Sequence, residues 1–317
     1  MKIDEVTIGI TTYNSVTTVI ETLDSICAQD YQALHLIISD DYSTDNTLDL
    51  VRNWLDMEAN KDRFLSTRVI TVPENTGVSA NCNRIIQASP TPWIKFIAGD
   101  DILLPNCIAD NMAFVADHPE AQIIFSPVEL YRNNFDQGNY LRTTPANFPN
   151  NLMHPDFSAR DQWKILLESD RIHYTPSYFF NKEAILAVGG YDEQNRLQED
   201  YPMWLKLTQA GYRLHYFHNP TVGYRQHDAA LNNTHAAELF KSLEIKAYLI
   251  RKQYAHPYLS FFRRKSEDWS FGVKKVFQSL GWHKKATPLK KRLLKLMIVY
   301  LNPWHYLDSI ERKIKKP

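Results

Sequence analysis

The sequence predicts an α/β fold: a mostly parallel sheet with helices on both faces, followed by a mainly helical, basic C-terminal region. Three observations predict it. Over the first 125 residues, short apolar runs rich in branched and aromatic residues alternate strictly with stretches whose apolar residues recur at helical spacing. Each apolar run of that half closes on a polar cluster. Beyond Phe240 the chain changes from acidic to basic.

Residues 6–12 read as the first strand. Residues 16–28 follow as a helix, because Val16, Val19, Ile20, Leu23, Ile26 and Cys27 share one face. The second strand is 34–39, and 46–57 is a helix opened by Asp45 as its cap. The third strand is 68–72, 78–88 a helix, and 93–98 the fourth strand, too short and too branched for a helix. Gly99 then allows a sharp turn, and Pro105 suits the first turn of a helix over 105–116. Residues 123–125 are the fifth strand; His215 and His218 fall on a later one, where a structural role is the ordinary expectation.

At 317 residues the chain is long enough for one large α/β unit with an appendage or for two domains. With 44% hydrophobic and 23% charged residues it has the composition of an ordinary globular protein, which excludes wholesale disorder. Cys27, Cys82 and Cys107 are odd in number, far apart and without zinc or redox spacing, so they are expected to be reduced thiols of a cytosolic protein. The opening "MKIDEVTIGITTYN" enters a strand pattern almost at once, with no charged-then-apolar leader. The sequon Asn232-Asn233-Thr234 is therefore expected to be incidental.

Charge is divided unevenly. Residues 1–240 hold 17 Lys and Arg against 31 Asp and Glu, a net of −14, whereas 241–317 hold 19 against 5, a net of +14. The basic tail interleaves aromatics and aliphatics, as in "YLSFFRRK", "WSFGVKKVF" and "LKKRLLKLMIVYLNPWHYL". Such stretches suit an anionic membrane surface; the alternative is a set of solvated helix faces packed on the acidic domain. No apolar run approaches the roughly 20 residues that cross a bilayer, so a peripheral protein at the cytoplasmic face of the plasma membrane is expected. Nucleic acid is not an expected partner, since the acidic body would oppose a polyanion and no nucleic-acid module is present.

Among the ten glycines no G-x-G-x-x-G follows the first strand, and no Walker-type G-K-[ST] occurs. Instead the strands end in "TTYN", "DDYSTDNT", "ENTGVSANCN" and "GDD". In open α/β sheets ligands bind beyond the C-terminal ends of the strands. A row of carboxylates, hydroxyls and amides there suits a hydroxyl-rich ligand with a metal-bound phosphate. Asp100 and Asp101 repel each other and require a cation, a donor-rich ligand or water; a solvated turn with Asp100 as helix cap is the bland alternative.

On "VTIGITTYN", "LIISDDYSTDNT", "NTGVSANCNRII", "WIKFIAGDD" and "VGGYDEQNRLQEDYPMWLKLTQAGY", in order over residues 4 to 225, the sequence resembles the inverting family-2 glycosyltransferases of GT-A fold, of bacterial O-antigen and capsule type. The resemblance implies a GT-A domain over 1–240, with a nucleotide-sugar-binding half (1–125) and an acceptor-binding half (126–240), ahead of the helical region 241–317. It implies that Thr11 and Tyr13 line a base pocket and that Asp41 accepts from the base ring N–H, with an Asx turn after the strand as the competing role of both Asp40 and Asp41. Asp100 would hold ribose hydroxyls, and Asp101 would bind Mn²⁺ or Mg²⁺ on the diphosphate. By the same resemblance Asp200 is the general base, with Glu199 beside it; the alternative is an acidic pair favoured at a helix N-terminus by the macrodipole. Arg225 and His227, in "TVGYRQHDAALNNT", would reach the diphosphate or the metal.

What the resemblance implies as substrates is a UDP-linked sugar donor and a saccharide acceptor, such as a polyprenyl-diphosphate-linked one. The sequence departs from the family at Ala98, where an Asp is common, and it lacks the Gln-x-x-Arg-Trp motif and spans of processive synthases. Two other classes are distinguished by what the sequence carries. A nucleotidyltransferase would carry a Gly-rich, basic loop where "TTYNSVTT" stands, and a non-catalytic sugar-nucleotide-binding protein would have lost "ED".

Overall fold

A computed structural model of the chain describes residues 4–146, 152–196, 199–226, 238–240 and 242–314. The chain divides into two units, Met1–His227 and Asp228–Pro317.

The first unit is built on β1 (Val6–Thr12) and β2 (Leu34–Asp40), whose runs of Val, Ile and Leu are buried along nearly their whole length. Continuous rather than alternating hydrophobicity is what a parallel strand covered on both faces requires. Between them runs α1 (Val19–Cys27); after β2 come α2 (Thr47–Asp56), the single turn α3 (Glu58–Lys61), β3 (Ser66–Thr71), α4 (Val78–Ala88) and β4 (Trp93–Ala98). Then follow β5 (Ile102–Leu103), α5 (Cys107–Asp117), β6 (Ile123–Phe125), β7 (Val128–Arg132) and β8 (Tyr140–Thr144). The unit is completed by α6 (Ala159–Glu168), β9 (Phe179–Asn181), α7 (Lys182–Ala187), α8 (Asp200–Gln209), β10 (Leu214–Tyr216) and β11 (Val222–Gln226). Among the described residues the central sheet has seven strands in the order β10-β6-β9-β4-β1-β2-β3, parallel except for β9. A second sheet has the order β5-β11-β7-β8.

Two expectations are corrected here. The first helix starts at Val19 rather than at 16, because residues 15–18 close as a turn in which Thr18 N and Val19 N both donate to Ser15 O (3.0 and 2.9 Å) and Thr18, at φ −130°, is not helical. Asp45 accepts from Thr47 N at 3.0 Å, so it anchors the start of α2 from one residue outside the cap position. The stretch before α5, read as the approach to a helix, contains β5, which pairs with Val222 and Gly223 of β11.

Helix α4 seats directly on β1. A Cβ at Gly9 would stand 2.4 Å from Cγ2 of Ile85 and 2.9 Å from Phe96, so glycine here is a requirement of close approach. Less expected is Lys95, fully buried in the apolar run of β4. Its ammonium donates to the carbonyls of Pro176 (2.5 Å) and Tyr178 (3.2 Å). Burial depresses its pKa from 10.5 to about 8, against the opposing influence of Cys107 and Asp101. Between those two values the unfolded chain binds more protons than the folded one, so stability from this site increases as pH rises. The stability of the wild type relative to Lys95→Met is therefore expected to improve by about 2 kcal/mol between about pH 7.5 and about pH 9.5, read from urea midpoints. A pH-independent difference would show that Lys95 titrates normally.

The second unit is helical. It contains α9 (Ser242–Tyr254), α10 (Phe261–Ser279), α11 (Pro288–Lys295), a π-helical turn Leu296–Tyr300 and α12 (Pro303–Ile314). Ser260 and Thr287 cap α10 and α11, accepting from the N–H groups of Arg263 and Lys290. Its core gathers Phe240, Ile245, Val273 and Phe277, with Leu293, Leu294, Met297 and Ile298 against them. Glu267 ties α9 to α10 by accepting from Arg251 (2.7 and 3.0 Å), Arg263 and His256. Burial would raise this carboxyl, but those donors hold it down at about 2.

Candidate active site

Parallel register brings the C-terminal ends of three strands together. Thr12 lies beside Asp40 and Thr11 beside Ala98, and the ladder continues past the strands through Asp41 N to Thr12 O and Gly99 N to Thr11 O, both 3.0 Å. Tyr13, Asp41 and Asp100 thus leave neighbouring strands at one edge. Thr11 is half-buried there, whereas Tyr13 is 51% exposed, an aromatic face open to a ligand.

The two carboxylates that end β2 are both turned inward. Asp40 accepts from Ser43 N (2.8 Å), Ser43 Oγ (2.5 Å) and Thr12 Oγ1 (2.8 Å), the Asx-turn arrangement that competed with a ligand role. Asp41 accepts from Thr76 N (3.0 and 3.1 Å), Thr76 Oγ1 (2.5 Å), Gly77 N (2.7 Å) and Arg84 Nη2 (2.8 Å). Burial would raise its pKa, but the bonds from Thr76, Arg84 and Gly77 outweigh this and hold it below the usual carboxylate range. The expectation that Asp41 accepts from a base ring N–H meets a carboxylate whose oxygens already take four donors. Its stabilising effect is present above the unfolded value near 4 and is lost as pH falls through the depressed one. Asp41→Asn is expected to cost about 3 kcal/mol in urea unfolding at neutral pH, since it leaves Arg84 and two loop N–H groups poorly matched. A cost under about 1 kcal/mol, the range of an exposed ion pair, would remove this hub role.

Asp100 and Asp101 follow Gly99 at the end of β4. Asp101 is 2% exposed, and its Oδ1 accepts from the backbone N–H of Arg225 at 2.8 Å. Burial and the charge of Asp100 push its carboxyl well above the ordinary range, against Arg225 and Lys95. The Arg225 guanidinium clamps this corner: Nε donates to Asp100 O (2.7 Å), Nη1 to Asn133 O, Nη2 to Glu21, and its Cζ lies 4.4 Å from the Phe135 ring centre. At 6% exposure, with all three nitrogens engaged, Arg225 holds the carboxylate pair in place rather than offering a free charge to a diphosphate.

Can this corner hold a divalent ion? Among the described residues no three His, Cys, Asp or Glu side chains gather into a cage. Asp101 Oδ2 and the half-buried Asp100 are hard oxygen ligands, and one or two carboxylates are what Mg²⁺ and Mn²⁺ sites require when phosphate and water complete the shell. The donor set fits such an ion. His227, the other expected ligand, lies outside the described residues.

A second carboxylate pair opens α8. Glu199 and Asp200 are half-buried, and the thiol of Cys82 in α4 is pushed well above its ordinary value first by its own burial and then by the charges of Glu199 and Asp200. Burial, then the charges of Glu199 and Asp170, push Asp200 well above the ordinary carboxylate value, against a hydrogen bond with Thr175; burial raises Glu199 as well. Beneath them Tyr178 and Tyr191 share a hydroxyl–hydroxyl bond of 2.6 Å. The preceding segment is strapped onto α4. Asn83 bonds Tyr191 O and N (both 2.9 Å) and Glu193 (2.8 Å), Ser79 donates to Asn195 O (2.5 Å), and Arg196 donates to Asn75. Gly77 has φ +94°, and a Cβ there would stand 2.8 Å from Arg196 Cβ, so the strap and the loop that grips Asp41 fit only around glycine. Helix α4 therefore carries Arg84 on Asp41 and Cys82 beside Asp200. The sequence singled out the segment that contains Arg84 without giving that residue a role, and nothing in α1 flagged Glu21.

The first unit has the GT-A α/β architecture, a sheet with its polar strand ends at one edge and a second acidic pair near Cys82 of α4, behind a strap tied to that helix. Residues 7–182 match the family model Glycosyl transferase family 2, and the chain belongs to that family. An uncharacterized glycosyltransferase of Haemophilus influenzae is 25% identical over 60% of this chain and 64% of its own length. Succinoglycan biosynthesis protein ExoO of Rhizobium meliloti is 25% identical over 71% of this chain and 61% of its own. The UDP-Glc:alpha-D-GlcNAc-diphosphoundecaprenol beta-1,3-glucosyltransferase WfaP of Escherichia coli is 22% identical over 77% and 88%. In several of these relatives the chain spans less than two thirds of their length, as little as 27% in a bifunctional Dictyostelium discoideum enzyme. Among solved structures, S. aureus TarS 1-349 in complex with UDP-GlcNAc superposes with a TM-score of 0.58 at 15% identity, over 86% of this chain and 73% of that one, a likeness of fold.

Proposed function

We propose that this chain is an inverting glycosyltransferase that moves one sugar from a UDP-linked donor to an acceptor hydroxyl, in the assembly of a bacterial surface polysaccharide such as O-antigen. The observation that carries the reading is Asp200, a carboxyl raised by burial and by Glu199 at the head of a helix whose leading strap is fixed to the nucleotide-side helix α4. A carboxyl raised above its ordinary range is a stronger base, which is what a general base needs.

In this reading Thr11 and the exposed ring of Tyr13 receive the base, and Asp41 shapes that pocket by holding the 76–77 turn. Asp100 accepts from ribose hydroxyls. Asp101, fixed by Arg225, would hold Mn²⁺ or Mg²⁺ on the diphosphate, and His227 is a further ligand of the metal or the diphosphate. When bound, such an ion neutralises charge that develops on the departing diphosphate. Asp200 takes the acceptor proton as the hydroxyl oxygen bonds to the anomeric carbon and the carbon–oxygen bond to the diphosphate breaks on the opposite face. Glu199 keeps the Asp200 pKa high by its charge.

The names of WfaP and TarS support a UDP donor, either glucose or N-acetylglucosamine, and that of WfaP supports a diphosphoundecaprenol-linked acceptor. Such an acceptor lies at the inner face of the plasma membrane, where an anionic surface would meet the basic second unit. No helix among the described residues is long and apolar enough to cross a membrane. The test is UDP release by the purified chain from UDP-glucose and UDP-GlcNAc, with Mn²⁺ or Mg²⁺ and a diphosphoundecaprenol-linked GlcNAc acceptor. Acceptor-dependent release is expected from one donor; release from neither, with donor binding intact, would replace transfer by binding alone.

A further inference from the structure

Helix α12 is packed inside out. Its apolar residues Tyr306, Leu307, Ile310 and Ile314 are 47%, 39%, 54% and 78% exposed. Their spacing of one, four and eight residues places them in a single stripe along the helix. The residue this helix buries is instead an acid. Asp308, 5% exposed, forms ion pairs with Arg263 of α10 (3.6 Å) and with Arg312 of its own helix (3.0 Å). Just before the helix, Asn302 is fully buried and donates to Ser266 O (3.3 Å) and Oγ (3.0 Å) of α10. An amphipathic helix ordinarily turns its apolar stripe to the core, because burying it contributes most of its docking energy. Here Trp304, whose ring meets Phe261 and Phe262 of α10 (ring centres 5.8 and 6.4 Å apart), and these polar groups make the dock, while the stripe faces outward.

The stripe also has company in the sequence before it. Leu296, Tyr300 and Leu301 are 42%, 55% and 56% exposed, and Lys295 Nζ lies 6.0 Å from the Tyr300 ring centre. Between Pro288 and Ile314 there are six Lys and Arg against two acidic residues, within a C-terminal region of net charge +14. Outward leucine and isoleucine with tyrosines, among an excess of cations, is the chemistry of a helix lying in the headgroup layer of an anionic bilayer. A polyanion in water would use the cations and leave the aliphatic stripe without a partner.

We infer that the outward face of α12, centred on Leu307, Ile310 and Ile314, is the element that enters the anionic lipid surface. This deepens the membrane side of the function proposed above and rests on it; the transfer chemistry does not depend on it. The experiment is co-sedimentation of the full chain with vesicles of phosphatidylcholine alone or mixed with phosphatidylglycerol. In parallel, UDP release is measured with a short water-soluble acceptor. The wild type is expected to bind only the anionic vesicles and to lose binding as salt is raised. The triple variant Leu307→Ser, Ile310→Ser, Ile314→Ser is expected to bind them at least about tenfold more weakly, from the apolar area withdrawn from lipid. These side chains are outside the core, so its helical circular dichroism and its soluble-acceptor activity are expected to be unchanged. Equal binding by the triple variant would overturn the assignment to α12. Failure of the wild type to bind, or a concentration-dependent dimer that the triple variant abolishes, would replace the lipid surface by none or by a second copy, with UDP release still reporting separately on transfer.

Discussion

Asp200→Asn is expected to lower kcat about a thousandfold while leaving donor affinity nearly unchanged, the size of effect a lost general base produces. The amide is isosteric and can still face the Thr175 hydroxyl, but it cannot take the acceptor proton. Two further readouts separate this from damage to the fold. The folded pKa of Asp200 is raised by burial and by Glu199, so its contribution to stability is complete below the unfolded value near 4 and is lost as pH rises through the folded value. At neutral pH the wild type therefore carries a penalty that asparagine lacks. The inactive variant is expected to unfold in urea at the same midpoint or a higher one. In the wild type, activity is expected to rise with pH through a limb above the normal carboxylate range. Glu199→Gln removes the neighbouring charge and should move that limb to lower pH. Wild-type kcat in Asp200→Asn would remove the base assignment altogether.

The position of this site was legible in the sequence for a topological reason. Strict alternation forces parallel strands, parallel strands put their C-terminal ends at one edge, and "TTYN", "DDYS" and "GDD" follow those ends directly. What the side chains do was less legible, because their partners come from distant loops. Asp41 is gripped by Thr76 and Gly77, 35 and 36 residues on, and Arg225 reaches Glu21 across 204 residues. Local pattern names the residue type at such positions but not which neighbours it meets. The same limit hid β5: two residues show no periodicity, and their strand character exists only through β11. Lys95 was hidden differently, as one cation inside an apolar run whose satisfaction depends on the carbonyls of Pro176 and Tyr178. The reversed amphipathicity of α12 also needed structure, since a sequence shows that a stripe exists but not which way it faces.

Asp101→Asn is expected to lower kcat/KM by about a thousandfold and to abolish the response of activity to added Mn²⁺ or Mg²⁺, a loss of several kcal/mol of charge stabilisation at the diphosphate. Asparagine is the informative replacement because its side-chain oxygen can still accept from the Arg225 N–H, which keeps the end of β4 on β11 while the negative charge is lost. With Ala98 where a third carboxylate could have stood, Asp100 alone cannot make up the loss. Arg225→Lys tests the same corner from outside the donor site. A lysine has no planar fork with which to reach Asp100 O, Asn133 O and Glu21 together, so the pair loses its backing while its charges remain. The expected result is a higher requirement for metal with a smaller loss at saturating metal. That pattern distinguishes a residue that positions Asp100 and Asp101 from one that contacts the diphosphate, whose loss saturating metal would not restore. Activity of Asp101→Asn that still saturates with Mn²⁺ as in the wild type, or wild-type activity in excess chelator, would show that the carboxylate pair serves the ribose alone.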